Sequence, residues 1–159
     1  MALIPQFRLI LPRIGIFGPS AASMIADETR LSMEQAVLLL QREVVTRTPV
    51  GATGILRGSI ASEVRGTTAQ IRGIVTTPQA YALPVEEGSR PHWAPIAPLK
   101  LWARRKLGDE RAAYRVRWAI HLRGTRPVRM FAQGLEASRT RIEQLFVQAR
   151  DRIIQRLGE

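Results

Sequence analysis

Residues 131–157, FAQGLEASRTRIEQLFVQARDRIIQRL, form the longest regular pattern in this chain of 159 residues. Apolar or small residues recur there every three or four positions, which places them on one face of an α-helix. A helix of about 28 residues is longer than a domain of this size is wide. We therefore expect it to pack along a second long helix, of the same chain or of a neighbouring subunit. The predicted stripe is Phe131, Leu135, Ser138, Ile142, Leu145, Phe146, Ala149, Ile153 and Leu157.

The segment 21–47 predicts that second helix. Its apolar residues step by three or four positions, so they share one helix face. Pro49 ends the helix, because proline lacks an N–H and disfavours helical geometry in the residue before it. The predicted stripe is Met33, Val37, Leu40 and Val44, widened by Leu38 and Val45.

Between the two helices, two short segments predict a β-hairpin. Residues 59–64 and 69–76 are rich in Ile, Val and Thr, and the polar residues 65–68 separate them. Arg57 is expected at the start of the first strand, as a solvated or carboxylate-paired arginine or as part of an intersubunit ion pair. Residues 81–85 predict a third strand or a short helical turn, and Pro84 leaves both open.

Residues 97–123 predict a helical insertion. A first helix ends at Gly108, and a second, capped by Asp109, runs to about Arg123. Ala113, Val116 and Ile120 are expected to face inward in the second helix. The predicted fold is therefore a single α+β domain over residues 21–159, with a small antiparallel sheet packed against long N-terminal and C-terminal helices.

Residues 1–20 are expected to be an extended N-terminal arm. Prolines and arginines interrupt this apolar stretch, so it predicts neither a membrane span nor a signal peptide. Phe7, Leu9 and Leu11 alternate as in a strand with one buried face. Such a strand needs a partner surface, which another subunit could supply.

The charge of the chain is strongly positive. The formal net charge is +11, and only Lys100 and Lys106 of the 24 basic residues are lysines. Residues 81–130 hold 11 basic and 4 acidic residues, so most of the excess lies there. This pattern is typical of a surface that meets nucleic acid or an acidic protein. Arginine use in a G+C-rich genome or a solvated helix face would also explain it.

Aromatic residues lie in the same basic stretch. Trp93, Trp102 and Trp118 occur there together with Tyr81 and Tyr114. We interpret them as core or interface residues rather than as a platform for base stacking. No sequence-reading DNA-binding motif accompanies them.

We predict no catalytic site, no cofactor and no metal. The chain has no cysteine, which excludes disulfides and thiolate metal sites. Glu86 and Glu87 are adjacent and would point to opposite faces of a strand, while His92 in a proline-rich loop is expected to pack or to form a hydrogen bond. No phosphate-binding loop or nucleophile elbow is present.

Three short motifs occur along the predicted domain. They are residues 48–60 (TPVGATGILRGSI), residues 81–88 (YALPVEEG), and residues 124–127 (GTRP) followed by Met130 and Phe131. Their order and spacing resemble the small head-to-tail connection proteins of long-tailed bacteriophages, also called neck, tail-completion or minor tail-component proteins. The resemblance covers about residues 20–157. The chain departs from the usual pattern at Ser89, where threonine is common, and in its insertion near residues 91–123.

The resemblance implies a structural virion protein rather than an enzyme. Such proteins form a homo-oligomeric ring, with sixfold symmetry as one option, that joins the head connector to the tail tube and lets DNA pass through its lumen. The implied partners are head-closure and tail-terminator or tail-tube proteins, with non-specific DNA contact in the lumen and no membrane. The protein would assemble in the host cytoplasm and reside in the virion, at the head-tail junction or in the tail.

The implied contacts fall into two groups. Those between subunits are Thr48, Pro49, Thr53, Gly54, Leu56, Arg57, Glu86, Glu87, Gly88, Gly124, Thr125, Arg126 and Pro127. The basic patch that would face the lumen or a partner is Arg104, Arg105, Lys106, Arg115 and Arg117. The alternative function is a non-specific basic nucleic-acid-binding protein. A small nuclease is a weaker rival, because the sequence shows no constellation of acidic and histidine residues of the kind that it needs.

Overall fold

The structure is a computed structural model that describes residues 6–10, 18–67 and 70–158. It has the predicted α+β architecture: a small antiparallel sheet packs against the first of two long helices, and the second long helix packs against the first. In chain order its elements are β1 (Gln6–Ile10), α1 (Pro19–Arg47), α2 (Ile55–Gly58), β2 (Ala61–Thr67), β3 (Gln70–Thr76), α3 (Ala82–Glu87), α4 (Ile96–Leu107), α5 (Ala112–Arg123) and α6 (Met130–Leu157).

Helices α1 and α6 pack against each other along their lengths in an antiparallel pair. Near one end, a Cβ atom added to Gly134 would lie 2.7 Å from Cγ2 of Val44, so the two backbones approach closely there. Near the other end, the buried carboxylate of Glu28 accepts a hydrogen bond from Nε of Arg152. The long helices therefore pair within one chain.

The two predicted stripes are mostly buried. Met33, Val37, Leu40 and Val44 lie in the main core, as predicted. On α6, Phe131, Ser138, Ile142 and Ala149 are buried, and the stripe remains at least half-buried as far as Ile153. The prediction for Leu38 was wrong: this side chain is 60% exposed, because it lies on the side of α1 that turns away from both the sheet and α6.

The three strands are antiparallel and lie in the order β1-β3-β2. The hairpin of β2 and β3 confirms the prediction, and its register pairs Ser62 with Val75 and Val64 with Gly73. Residues 65–67, which were predicted to lie between the strands, belong to β2. Residues of β3 that face α1 are buried, and a Cβ atom at Gly73 would overlap the side chain of Val37. Glycine therefore lets the sheet approach α1 closely.

The strand inside the predicted arm, β1, pairs with β3 of the same chain rather than with a neighbour, with Arg8 opposite Arg72. The predicted arm also ends earlier than expected, because α1 begins at Pro19. Residues 1–5 and 11–17 of the predicted arm lie outside the described residues.

Two short helices, at residues 55–58 and 82–87, settle the predictions for Arg57 and for the third strand. Arg57 does not begin a strand, because residues 55–58 form the one-turn helix α2, on which Arg57 is exposed. Residues 82–87 form the helix α3 and not a strand.

The predicted insertion is a pair of helices, α4 and α5, with a small core of its own. Ala103, Ala112 and Ala113 form that core, and Ile96, Leu99 and Trp102 pack against it. Val116 and Ile120, which were expected to face inward, are only partly buried. The two helices contact each other more than they contact any other helix or strand. As a result, much of the surface of α5 is left exposed.

Candidate interaction surface

The three sequence motifs meet at the first turn of α6. Thr48, in the first motif, is buried at the end of α1, where its hydroxyl donates a hydrogen bond to the carbonyl oxygen of Val44 at 2.7 Å. The same hydroxyl lies 3.3 Å from Sδ of Met130, the first residue of α6. The first motif therefore contacts the residues that follow the third.

The second motif supplies the cap of α6. Glu86 accepts hydrogen bonds from the backbone N–H groups of Phe131 and Ala132, at 2.9 and 3.0 Å. The residue before the helix, Arg129, adopts left-handed angles and provides no side-chain cap. A carboxylate at a helix N-terminus satisfies free N–H groups and interacts favourably with the helix dipole. Glu86, which belongs to α3, therefore caps α6 in place of Arg129.

A pair of backbone hydrogen bonds joins the second motif to the third. The N–H of Ser89 donates to Thr125 at 3.2 Å, and the N–H of Thr125 donates to Ser89 at 3.0 Å. The neighbouring residues Gly88 and Gly124 both have positive φ, 78° and 69°. A Cβ atom at Gly124 would overlap the carbonyl oxygen of Ser89, and one at Gly88 would lie 2.5 Å from that of Thr125. This geometry explains the glycines of both motifs.

A groove of about 630 Å³ lies beside this junction and contains residues of all three motifs. Its walls are mostly apolar, and Arg90 and Arg126 supply its positive charge. Nδ1 of His92 lies 2.9 Å from the carbonyl oxygen of Arg90. His92 therefore forms a hydrogen bond, as predicted, with another residue of the groove wall. The lining residues are Pro49, Tyr81, Pro84, Val85, Ser89, Arg90, Pro91, His92, Ala94, Ile120, Thr125, Arg126 and Val128.

The residues predicted to form subunit contacts include buried, partly buried and exposed side chains. Thr48 and Leu56 are buried in the core of their own chain, so their side chains are not available to a neighbour. Glu86 is occupied by the cap of α6, and Gly54, Gly88 and Gly124 are partly buried turn residues. The exposed members are Pro49, Thr53, Arg57, Glu87, Thr125, Arg126 and Pro127.

The predicted basic patch lies on the insertion but is not uniform. Arg104, Lys106 and Arg115 are exposed. Arg105 is exposed too, but one of its nitrogens donates a hydrogen bond to the carbonyl oxygen of Ala52 at 2.7 Å, which ties α4 to the first motif. Arg117 is partly buried, and its Nε donates to the carbonyl oxygen of Ala94 at 3.0 Å. Arg117 therefore has a structural role within the insertion.

An exposed apolar surface on α5 is the feature that sequence reasoning missed. Tyr114, Trp118 and Leu122 are separated by four residues each, and all three are more than half exposed. Trp93, also exposed, extends this surface, since its ring lies 5.8 Å from that of Trp118. We call these four residues the aromatic face. The sequence predicted the inward side of α5, but the aromatic residues were interpreted there only as core or interface residues, so their common exposed surface was not predicted.

Next to the aromatic face, Lys100 pairs with Glu110 at 3.2 Å and lies 5.5 Å from the centre of the Tyr114 ring. Its hydrogen bond with the Glu110 carboxylate, followed by its contact with Tyr114, raises the pKa of Lys100 above its ordinary value. Lys100 is therefore a positive charge at neutral pH, and it neutralises Glu110 locally.

Within residues 6–10, 18–67 and 70–158, no cluster of three or more His, Asp or Glu side chains could hold a metal ion. Among the helices of these same segments, none is long and apolar enough to cross a membrane. Comparisons of the chain with protein-family models, with curated proteins and with solved structures give no match.

Proposed function

We propose that this chain is a structural subunit of a bacteriophage neck or tail. It assembles into a homo-oligomeric ring that joins the head connector to the tail tube, and DNA passes through the lumen of the ring. In this proposal the protein has no enzymatic activity and acts in the virion. The observation that carries it is the meeting of the three motifs at one junction, because the residues behind the resemblance also organise the domain.

A closed ring requires two different patches on each subunit, one of which meets the other on the next subunit. The groove beside the junction supplies an apolar patch with positive charge from Arg90 and Arg126. Other exposed residues of the motifs, among them Arg57 and Glu87, carry further charge. We propose that these groups, rather than the buried Thr48 and Leu56, make the subunit contacts.

The exposed arginines of the insertion have a second role in this proposal. They would face either the DNA in the lumen or an acidic surface of a head-closure, tail-terminator or tail-tube protein. Contact with DNA would be non-specific and sensitive to salt, since it would rest on charge alone.

The test is the mass of the full-length protein in solution, measured by light scattering over a range of concentrations, alone and with its tail-tube partner. A defined oligomer that shows a central opening in electron micrographs would support the proposal. A monomer under all these conditions would contradict it. Glu87→Lys and Arg126→Glu, each made as a single exposed charge reversal, should weaken the oligomer, whereas Arg42→Glu on the outer side of α1 should not.

The alternative is a non-specific nucleic-acid-binding protein. The positive charge of residues 90–126, with ten basic and two acidic residues, favours it. A monomer that binds duplex DNA with an affinity that falls steeply with salt would support this alternative over the ring.

A further inference from the structure

The aromatic face is an unusual surface for a chain on its own. Trp93, Tyr114, Trp118 and Leu122 are each between 52% and 56% exposed. Three of them lie on consecutive turns of α5, so they form a continuous apolar strip about 12 Å long. Single exposed apolar residues need no explanation, but a contiguous strip marks a surface that meets another molecule.

Contacts beneath it hold the aromatic face in place. The Trp93 ring stacks on His121, with ring centres 3.8 Å apart and planes 13° apart. The guanidinium of Arg117 lies 5.0 Å from the centre of the Trp93 ring. Trp118 in turn lies 5.8 Å from both Trp93 and His121. Because these side chains are already ordered, a partner would lose little conformational entropy by binding to them.

The surroundings of the aromatic face are positive. Arg111 and Arg115 precede Trp118 by seven and three residues, so they lie on the same side of α5 and are exposed. The two acidic residues nearby are engaged within the insertion: Glu110 pairs with Lys100, and Asp109 accepts a hydrogen bond from the backbone N–H of Arg111 at 2.8 Å. The charge that a partner would meet is therefore cationic.

We propose that the aromatic face binds an amphipathic helix of another protein, whose apolar stripe is flanked by Asp or Glu. The helix would lay its stripe on Tyr114, Trp118 and Leu122 and place its carboxylates near Arg111 and Arg115. The apolar contact supplies affinity, and the charges set specificity and orientation.

Two other occupants fit less well. A second copy of this chain, placed face to face, would bring the two sets of arginines together, and like charges repel. A nucleic acid would gain nothing from Leu122, which has no aromatic ring, and Trp93 already uses one ring face to stack on His121. The proposal stands independently of the ring, because it concerns a surface of the single chain.

The test uses the full-length protein and a fluorescently labelled synthetic peptide with leucines at helical spacing between glutamates. The comparators are a scrambled peptide of the same composition, a peptide with lysine in place of glutamate, and single-stranded and duplex oligonucleotides. Fluorescence anisotropy of the label reports binding, and circular dichroism checks that each variant is folded. We expect the acidic amphipathic peptide to bind more tightly than every comparator.

Two variants and two matched controls locate the site. Trp118→Ala and the double change Arg111→Glu with Arg115→Glu should each weaken binding about tenfold or more. Leu38→Ser removes an equally exposed apolar side chain on α1, and Arg42→Glu reverses an exposed charge there. Both controls should leave the affinity within about twofold of the parent.

Several results would overturn the proposal. Equal binding of the scrambled peptide, or no effect of Trp118→Ala, would show that only net charge is recognised. Tighter binding of an oligonucleotide that is lost in Trp118→Ala would assign the surface to nucleic acid. If Trp118→Ala had a lower mass in solution than the parent protein, a second copy of the chain would cover the aromatic face. None of these results decides whether the chain forms a ring with its neck and tail partners.

Discussion

Glu86 holds the first turn of α6 from a distance of 45 residues: its Oε2 accepts a hydrogen bond from the backbone N–H of Phe131 at 2.9 Å. Its other oxygen accepts one from Ala132. In addition, the backbone carbonyl of Glu86 accepts a bond from the N–H of Arg129 at 3.0 Å. One residue therefore connects α3 to the helix that forms half of the main helix pair.

Removal of this cap should destabilise the domain. Glu86→Ala leaves two N–H groups at the start of α6 without their carboxylate, at a cost of about 1–3 kcal/mol in the free energy of unfolding. Glu86→Gln keeps one acceptor and should lose about half of that. Urea denaturation followed by circular dichroism measures both. The matched control is Glu87→Gln, which changes the exposed neighbouring residue. If it lowered the free energy of unfolding as much as Glu86→Gln, the capping role would be contradicted.

Gly124 should not tolerate a side chain. Gly124→Ala adds a Cβ atom that overlaps the carbonyl oxygen of Ser89, at a φ of 69°. We expect it to cost about 3 kcal/mol or more and to separate the second and third motifs. Gly108 has nearly the same φ, 70°, but no atom near its added Cβ. Gly108→Ala should therefore cost only about 1 kcal/mol, and equal losses would show that φ alone matters.

The close approach of the two long helices at Gly134 gives a third prediction. Alanine favours a helix by about 1 kcal/mol over glycine, but a Cβ atom there would lie 2.7 Å from Cγ2 of Val44. We expect the clash to dominate, so that Gly134→Ala lowers the free energy of unfolding by about 1 kcal/mol or more.

The same contact predicts a coupling between the two positions. Val44→Ala removes the nearest clashing atom, but N and Cα of Val44 remain 3.1 and 3.2 Å from the added Cβ. Gly134→Ala should therefore cost less in that background than in the parent. A double-mutant cycle measured by urea denaturation gives the coupling. Additive effects would show that the Val44 methyl group is not the source of the loss in Gly134→Ala.

The pairing of Glu28 with Arg152 should contribute more than the surface ion pairs. The Glu28 side chain is 5% exposed, and it contacts both Arg152 and Arg156. Arg152→Ala leaves a buried carboxylate with one weaker partner, and we expect a loss of about 1–3 kcal/mol, because Arg152 itself is partly solvated.

The control for that prediction is Arg150→Ala. Arg150 pairs with Asp151 at 2.7 Å, but both side chains are exposed, so the loss should stay below about 0.5 kcal/mol. Thermal and urea denaturation of the two variants, side by side, test the difference. Equal stabilities would show that Arg156 alone is enough for Glu28.

The interaction surface was only partly predictable. The three motifs were visible as segments, but their meeting depends on Thr48, Glu86 and Met130, which the fold brings together from distant positions. For the same reason the sequence could not distinguish a carboxylate that caps a helix from one that pairs with a neighbouring subunit. The exposed aromatic face was not predicted, because Trp93 joins it from a loop and only the fold brings that ring next to Trp118.

Much of the architecture followed from the sequence alone. The stripe from Met33 to Val44 and the stripe from Phe131 to Ile153 extend over many turns, and a helix with so long an apolar face has to bury it. The β-hairpin followed from two β-branched segments around a polar turn. These features are local, because they depend on residues only a few positions apart.

Tertiary structure decided which surfaces are covered. Leu38 and Leu122 lie on helices whose apolar residues recur at regular spacing, yet both are exposed, because no other element of the described residues packs on their side. It also decided that β1 pairs with β3 of its own chain, and that Glu86 caps α6. Periodicity specifies the face of a helix or strand, but the partner of that face depends on contacts between residues far apart in sequence.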